Sequence, residues 1–346
     1  MSPPAVPSDH QLLLDLLPRV SRTFAMGIRL LPADLSHAVG TAYLLCRIAD
    51  TIEDDASLPP VVRHDLLQEF GGWLDGMDHD PSRLVAQFAS STGDDAALVR
   101  VTSLVLDDFA RLPGEVRAAI RRPVEEMCRG MASYVARATE SGRTPQPSDL
   151  DDLEQYCWYV AGTVGWMLTD LFRLSGTGWS EPRYAELREL SRGFGLGLQL
   201  TNVIRDMGED HRRGATFVPA DLCDQVGCPA WELFSPGREA ATALVLSTLT
   251  DRALVHLSAA RDYATLLPRR QLRIRLFCLV PLFLAAGTLN RIARKDAYRA
   301  GWVRIKLTRP VVRLTVVLAA LVSPSNTLIR LAFRWLAPVR EPGASA

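Results

Sequence analysis

The sequence predicts an all-α protein. Across most of its 346 residues, apolar side chains recur at three- and four-residue spacing, the period of one helix face. Strand-like alternation is hard to find. Proline and glycine cluster at short breaks such as Leu58-Pro59-Pro60, Ser141-Gly142-Arg143-Thr144-Pro145-Gln146-Pro147, Ser175-Gly176-Thr177-Gly178 and Ser235-Pro236-Gly237. None is long enough for an interdomain linker, and no repeat with a fixed period is present. One helical domain over 1–346 is expected, with 1–8 and 338–346 as disordered tails.

In chain order the period predicts helices over 9–17, 20–30 and 33–54, the last ending before the first proline break. Helices over 60–76, 82–89, 94–111 and 114–139 follow, up to the 141–147 break. Then come 149–174, 181–208, 239–266, 270–293, 296–304 and 308–337. The longest uncharged stretches, 155–169, 276–290 and 314–329, all fall short of the roughly 18 apolar residues of a membrane span. The last is also broken by Ser323-Pro324-Ser325-Asn326, so buried helices are expected.

Composition narrows the function classes. Thirty-nine basic residues balance 39 acidic ones, which excludes a strongly basic nucleic-acid binder. The balance hides a split: residues 251–346 hold 17 basic and 4 acidic side chains, a balance of +13, so the first 250 carry −13. The acidic part calls for cations, or the basic part for something anionic. The six cysteines, Cys46, Cys128, Cys157, Cys223, Cys228 and Cys278, show no zinc spacing and are expected to be buried, reduced thiols. The N-terminus lacks the pattern of a signal peptide, and a cytoplasmic, monomeric protein is expected.

Two segments carry chemistry: Arg47-Ile48-Ala49-Asp50-Thr51-Ile52-Glu53-Asp54-Asp55 and Asn202-Val203-Ile204-Arg205-Asp206-Met207-Gly208-Glu209-Asp210. Each sets two aspartates at i and i+4, one turn apart on a helix face, where like charges repel unless a cation sits between them. Carboxylates are hard oxygen ligands suited to Mg²⁺, which completes its shell with water and substrate phosphates. Two such helices facing one another would cage Mg²⁺ and diphosphate. Gly193, Gly195 and Gly197 form GxGxG with no preceding strand, so a dinucleotide fingerprint is rejected. Each glycine costs a helix about 1 kcal/mol relative to alanine. They are expected, with Ala161, Gly162 and Gly165, to clear room either for a prenyl chain or for close helix packing.

The segments resemble the squalene and phytoene synthases. Ser21-Arg22-Thr23-Phe24-Ala25 is similar to that family's flap motif, and Tyr43-Leu44-Leu45-Cys46 leading into Arg47–Asp54 to its first aspartate helix. Tyr156-Cys157-Trp158-Tyr159-Val160-Ala161-Gly162-Thr163-Val164-Gly165 and the run from Gly195 to Asp206 resemble its central cavity helices. Leu276-Phe277-Cys278-Leu279-Val280-Pro281 and Trp302-Val303-Arg304-Ile305-Lys306 are similar to its squalene-forming branch. The resemblance runs from about Ser21 to Leu336. It implies an isoprenoid-synthase-type bundle around a central cavity, two farnesyl diphosphates as substrate, two or three Mg²⁺ ions and NADPH.

It further implies Asp50, Glu53, Asp54, Asp206, Glu209 and Asp210 as metal ligands, and Arg22, Arg47 and Arg205 on phosphate oxygens, which a planar guanidinium grips bidentately. Tyr156 would transfer the proton of the first step, while Phe277, Phe24 and Tyr43 would face cations. Ser21, Val160, Gly162, Gln199 and Asn202 would line the substrate, and Asn202, Arg212, Arg213, Arg304 and Lys306 the NADPH. Two departures put reduction in question. The family's Gly-Arg-x-aromatic-x-Pro is Gly214-Ala215-Thr216-Phe217-Val218-Pro219 here, and a final Lys-Gly is replaced by Leu307-Thr308. Dehydrosqualene, presqualene diphosphate or phytoene are alternative products, and a non-catalytic assembly protein is the alternative of another class. Peripheral membrane contact through helices such as 314–336, with Arg330 and Arg334, is compatible with catalysis; an internal helix pair with arginines facing water is the preferred expectation.

Overall fold

The computed structural model describes residues 9–75, 79–141, 146–176, 178–294 and 307–338. Every regular element among them is helical, as the spacing predicts. The segments 1–8 and 339–346, the whole helix expected over 296–304, and with it Arg304, as well as Lys306, lie outside the described residues.

The described chain divides into two compact units, each with its own core. Residues 1–140 and 166–179 form the first, and residues 141–165 and 180–346 the second. The first opens with α1 (Asp9–Val20), α2 (Arg22–Ile28), α3 (Ala33–Asp54) and α4 (Pro60–Trp73), continues with α5 (Ser82–Gln87), α6 (Asp94–Val99) and α7 (Thr102–Arg111), and reaches α8 (Gly114–Ser141). The predicted helix 94–111 is two, parted at Arg100-Val101, where Arg100 Nη1 donates to the carbonyls of Phe88 and Ser91. Helix α3 is central to this unit and packs on α1, α2, α4, α6 and α7. Leu44, Leu45, Ile48, Ala49 and Ile52 are fully buried along it. Buried Asp108 on α7 ties the two helices by accepting from Thr41 Oγ1 at 2.6 Å and bonding His37 Nε2 at 3.0 Å.

The second unit begins with α9 (Leu150–Cys157), a π-helical turn (Trp158–Gly162) and the start of α10 (Thr163–Leu174). It continues with α11 (Glu181–Arg212), α12 (Ala220–Gln225), a 3₁₀ turn (Ala230–Glu232), α13 (Glu239–Leu266) and α14 (Leu272–Arg294), and ends in α15 (Arg309–Val322) and α16 (Asn326–Leu336). The expected single helix over 308–337 is two: Pro324 has no N–H to continue the ladder, and the Ser325 hydroxyl caps α16 by accepting from Leu328 N. Buried Glu154 on α9 is held by Arg252 and by His256 Nε2 at 2.7 Å, both on α13. Burial alone would raise the Glu154 pKa; the bonds from His256 and Arg252 outweigh it and bring it down to about 2. All six cysteines are free and buried.

The glycines take the second of their two expected roles, close packing. A Cβ on Gly195 would strike the Ala161 carbonyl and lie 2.7 Å from Gly162 Cα, and one on Gly165 would strike the Ser191 carbonyl. On Gly193 it would lie 2.7 Å from Ala259 Cβ, and on Gly197 2.9 Å from Leu257 N. The room they clear is filled by neighbouring helix and backbone. Gly195 and Gly165 let α11 meet the chain around the π turn, and Gly193 and Gly197 let it meet α13. Gly162 is closed in the same way, by Trp158 and Leu196.

Candidate active site

On α3, burial leaves one polar stripe. Tyr43, Arg47, Asp50 and Asp54, at spacings of four, three and four, are partly or fully exposed, while Leu44, Leu45, Ile48, Ala49 and Ile52 are buried. Asp50 is pushed up to about 7 by burial first and by the charge of Asp54 second, with Arg47 opposing, although a third of its side chain still meets solvent. Arg47 is engaged by a residue the sequence did not point to: its Nε and Nη2 bond both carboxylate oxygens of Asp95 at 3.0 and 2.9 Å, and Nη1 lies 3.8 Å from Asp50. Asp95 stands in the first turn of α6, 48 residues away, and no motif marks it.

At the other end of the stripe, the Phe24 ring lies 5.8 Å from that of Tyr43. The Tyr43 hydroxyl is bonded to Ser21, and burial raises its pKa against that bond. Ser21 also caps α2 by accepting from Phe24 N at 3.3 Å. Ser21, Phe24, Tyr43 and Arg47 are thus gathered in one unit with Asp50, Glu53 and Asp54. The Arg22 side chain lies outside the described residues.

Helix α11 carries the counterpart stripe in the second unit. Gln199, Asn202, Asp206 and Glu209, at spacings of three, four and three, are half-buried among buried neighbours. Asn202 Nδ2 donates to Gln199 Oε1 at 3.3 Å. Arg205 forks onto both oxygens of Asp206, and Arg213 pairs with buried Asp210. Arg212 Nε donates to the Gly208 carbonyl at 3.1 Å. Thus Arg212 and Arg213, expected on NADPH phosphates, both bond groups of their own helix end. Buried Tyr156 stacks on Phe217, centroids 5.1 Å apart. The residue after Tyr156 leads into the π turn, a wide turn common at functional sites, which holds half-buried Val160. Phe277 is buried on α14.

The carboxylates fit a divalent cation by their chemistry. Asp50 and Asp54 are hard acceptors, and burial together with the charge of Asp54 already holds a proton on Asp50 near neutrality, a condition a cation relieves. Among the described residues, no three His, Cys, Asp or Glu side chains converge as a self-sufficient metal site. Mg²⁺ is commonly held by one or two carboxylates with phosphate oxygens and water completing its shell, so the donor set suits an ion that arrives with a diphosphate.

Residues 17–311 match the model of the squalene/phytoene synthase family. The chain belongs to that family. Relatives include the squalene synthases of Schizosaccharomyces pombe, 30% identical, and Eremothecium gossypii, 32% identical, each over 84% of this chain. The chain spans 61% and 64% of the length of those two proteins. Among solved structures, a complex of TcSQS with the ligand BPH1237 superposes with a TM-score of 0.79 at 25% identity, covering 98% of this chain and 94% of that one. A ligand complex of a dehydrosqualene synthase gives 0.57 at 21% identity, covering 95% and 96%, a likeness of fold. The family match contains both aspartate stripes, the π turn and Phe277.

Proposed function

We propose that the protein is a squalene synthase. In this reading it joins two farnesyl diphosphates head to head to presqualene diphosphate, then converts that to squalene. The observation that supports it most is the likeness to TcSQS, with a TM-score of 0.79 at 25% identity over 98% of this chain. The first step breaks the allylic C1–O bond of one substrate, and the electron pair leaves with the diphosphate. The double bond of the second substrate captures C1, and loss of a proton closes the cyclopropane.

The side chains divide this work. Asp50, Glu53 and Asp54 on one stripe and Asp206, Glu209 and Asp210 on the other would each hold Mg²⁺, which would supply positive charge to offset that of the leaving diphosphate. Arg47 and Arg205 bond phosphate oxygens, exchanging part of their present forks on Asp95 and Asp206 for the substrate. We assign the proton relay to the Tyr156 hydroxyl, whose ring Phe217 holds by stacking. Phe24 and Tyr43 on the first unit, and Phe277 on α14, would offer ring faces to the cations. Val160, Gln199 and Asn202 contact the prenyl chains and diphosphates. NADPH would supply the hydride of the second half-reaction.

One observation favours a second reading in which the reaction ends without reduction. Ala215 stands where the family carries arginine, and Arg213 beside it is committed to Asp210. Incubation with farnesyl diphosphate and Mg²⁺, with and without NADPH, and product identification by mass spectrometry separates the two. Squalene formed only with NADPH supports the first reading. A C30 product indifferent to NADPH moves the assignment to the second, and a C40 product from geranylgeranyl diphosphate moves it to phytoene synthesis.

A further inference from the structure

The preferred expectation for the C-terminal helices is an internal pair whose arginines face water, and those arginines are exposed. Thr315, Ala319 and Val322 of α15 and Ile329, Ala332 and Phe333 of α16 are buried, and both helices pack on α14. Their other faces are apolar as well. On α15, Val311, Leu314, Val317 and Leu321 are 38%, 65%, 53% and 70% exposed; on α16, Leu328, Leu331 and Trp335 are 47%, 52% and 72% exposed. Spacings of three and four align each set along its own helix. These seven are nearly half of the fifteen large apolar side chains exposed among the described residues, gathered into 25 consecutive positions. Scattered exposed apolar residues are ordinary, whereas a concentration of this kind marks a surface that something covers.

The charge around it selects the occupant. Residues 307–338 contain Arg309, Arg313, Arg330 and Arg334 and no acidic residue. All four arginines are exposed. A second copy docking face to face would bring four arginines against four, whereas an anionic bilayer meets the same residues with opposite charge. At 14 and 11 residues the helices are about 21 and 17 Å long, too short for the roughly 30 Å hydrocarbon layer. They suit lying in the plane of the interface, with leucines and a tryptophan inward and arginines at the headgroups. Helix α14 is apolar and long enough to span, yet 67% of its apolar window is buried inside the protein, as in a core helix.

We propose that the exposed face of α15 and α16 is a monotopic docking surface for an anionic lipid bilayer. It shares no residue with the carboxylate stripes and does not depend on the reaction assigned to them.

Flotation of the intact protein with vesicles of phosphatidylcholine alone, or with about 30% phosphatidylglycerol, tests it. Binding to the anionic vesicles is expected, at least ten-fold stronger than to the neutral ones and weakened by salt. Leu321→Glu and Trp335→Glu, both at strongly exposed positions, should each reduce it ten-fold or more with unchanged circular dichroism and melting temperature. Brominated lipid should quench the wild-type tryptophan emission more than that of Trp335→Phe. Absence of binding to anionic vesicles, or wild-type binding by both glutamate variants, overturns the proposal. So does a wild-type dimer in sedimentation that Leu321→Glu dissociates, which would assign the face to a second copy.

Discussion

At the Asp50 carboxyl, burial and the charge of Asp54 hold a proton up to about pH 7. Its raised pKa means that the ligand-free fold binds this proton more tightly than the unfolded chain does. The stability it contributes is therefore present at low pH and lost as pH rises through 7. A cation at the same carboxyl displaces the proton, so Mg²⁺ should bind more weakly below pH 7 and release protons as it binds there. Calorimetry in buffers of different ionisation enthalpy should show that release at about pH 6 and little at about pH 8.5, and Asp50→Asn should abolish it. A release equal at both pH values would contradict the assignment. The aspartate pair was legible from its i, i+4 spacing. The Asp95 partner of Arg47 was not, because it is supplied by tertiary packing of α6 on α3, and residue spacing carries no record of that.

At the scale of elements, the sequence marked the glycines of α11 and left open whether a ligand or a helix fills the space they clear. A period of missing side chains says that something comes close, and a helix and a ligand leave the same trace. Gly195→Ala tests the distinction: despite alanine's better helix propensity, its Cβ would meet backbone, and the loss should be about 2–3 kcal/mol. A melting temperature at or above wild type would return that space to a ligand. The π turn was equally unreadable, since one inserted residue shifts helical phase only locally within 149–174. The tie between α3 and α7 makes a separate prediction. His37 is raised above its usual pKa first by its bond to Asp108, against burial, and further by the charges of Asp108 and Asp34. That stability is fully present below about pH 6.5 and fades as pH rises through the folded value. Asp108→Asn should cost about 1–3 kcal/mol and flatten this dependence in denaturation curves at about pH 5 and pH 9. An undiminished pH dependence in the variant would refute the tie.

For the whole molecule, the all-α class, the family and most helix limits were legible, because long amphipathic helices and four ordered motifs are properties of sequence alone. The six-residue α12 and the three-residue 3₁₀ turn were not expected from the sequence. The zero net charge now divides by structure: the acidic portion contains both aspartate stripes, and the basic portion contains the arginines around the exposed α15 and α16 face. The central claim is that these stripes serve prenyl transfer between diphosphates. Its most direct test is the C30 product formed from farnesyl diphosphate and Mg²⁺ by the wild-type protein and by Asp50→Asn, measured by mass spectrometry alongside circular dichroism. The account predicts a C30 product from the wild type and a rate about 10²–10³-fold lower in the variant with an unchanged helical spectrum. No C30 product from the wild type, or an undiminished rate in Asp50→Asn, would contradict it.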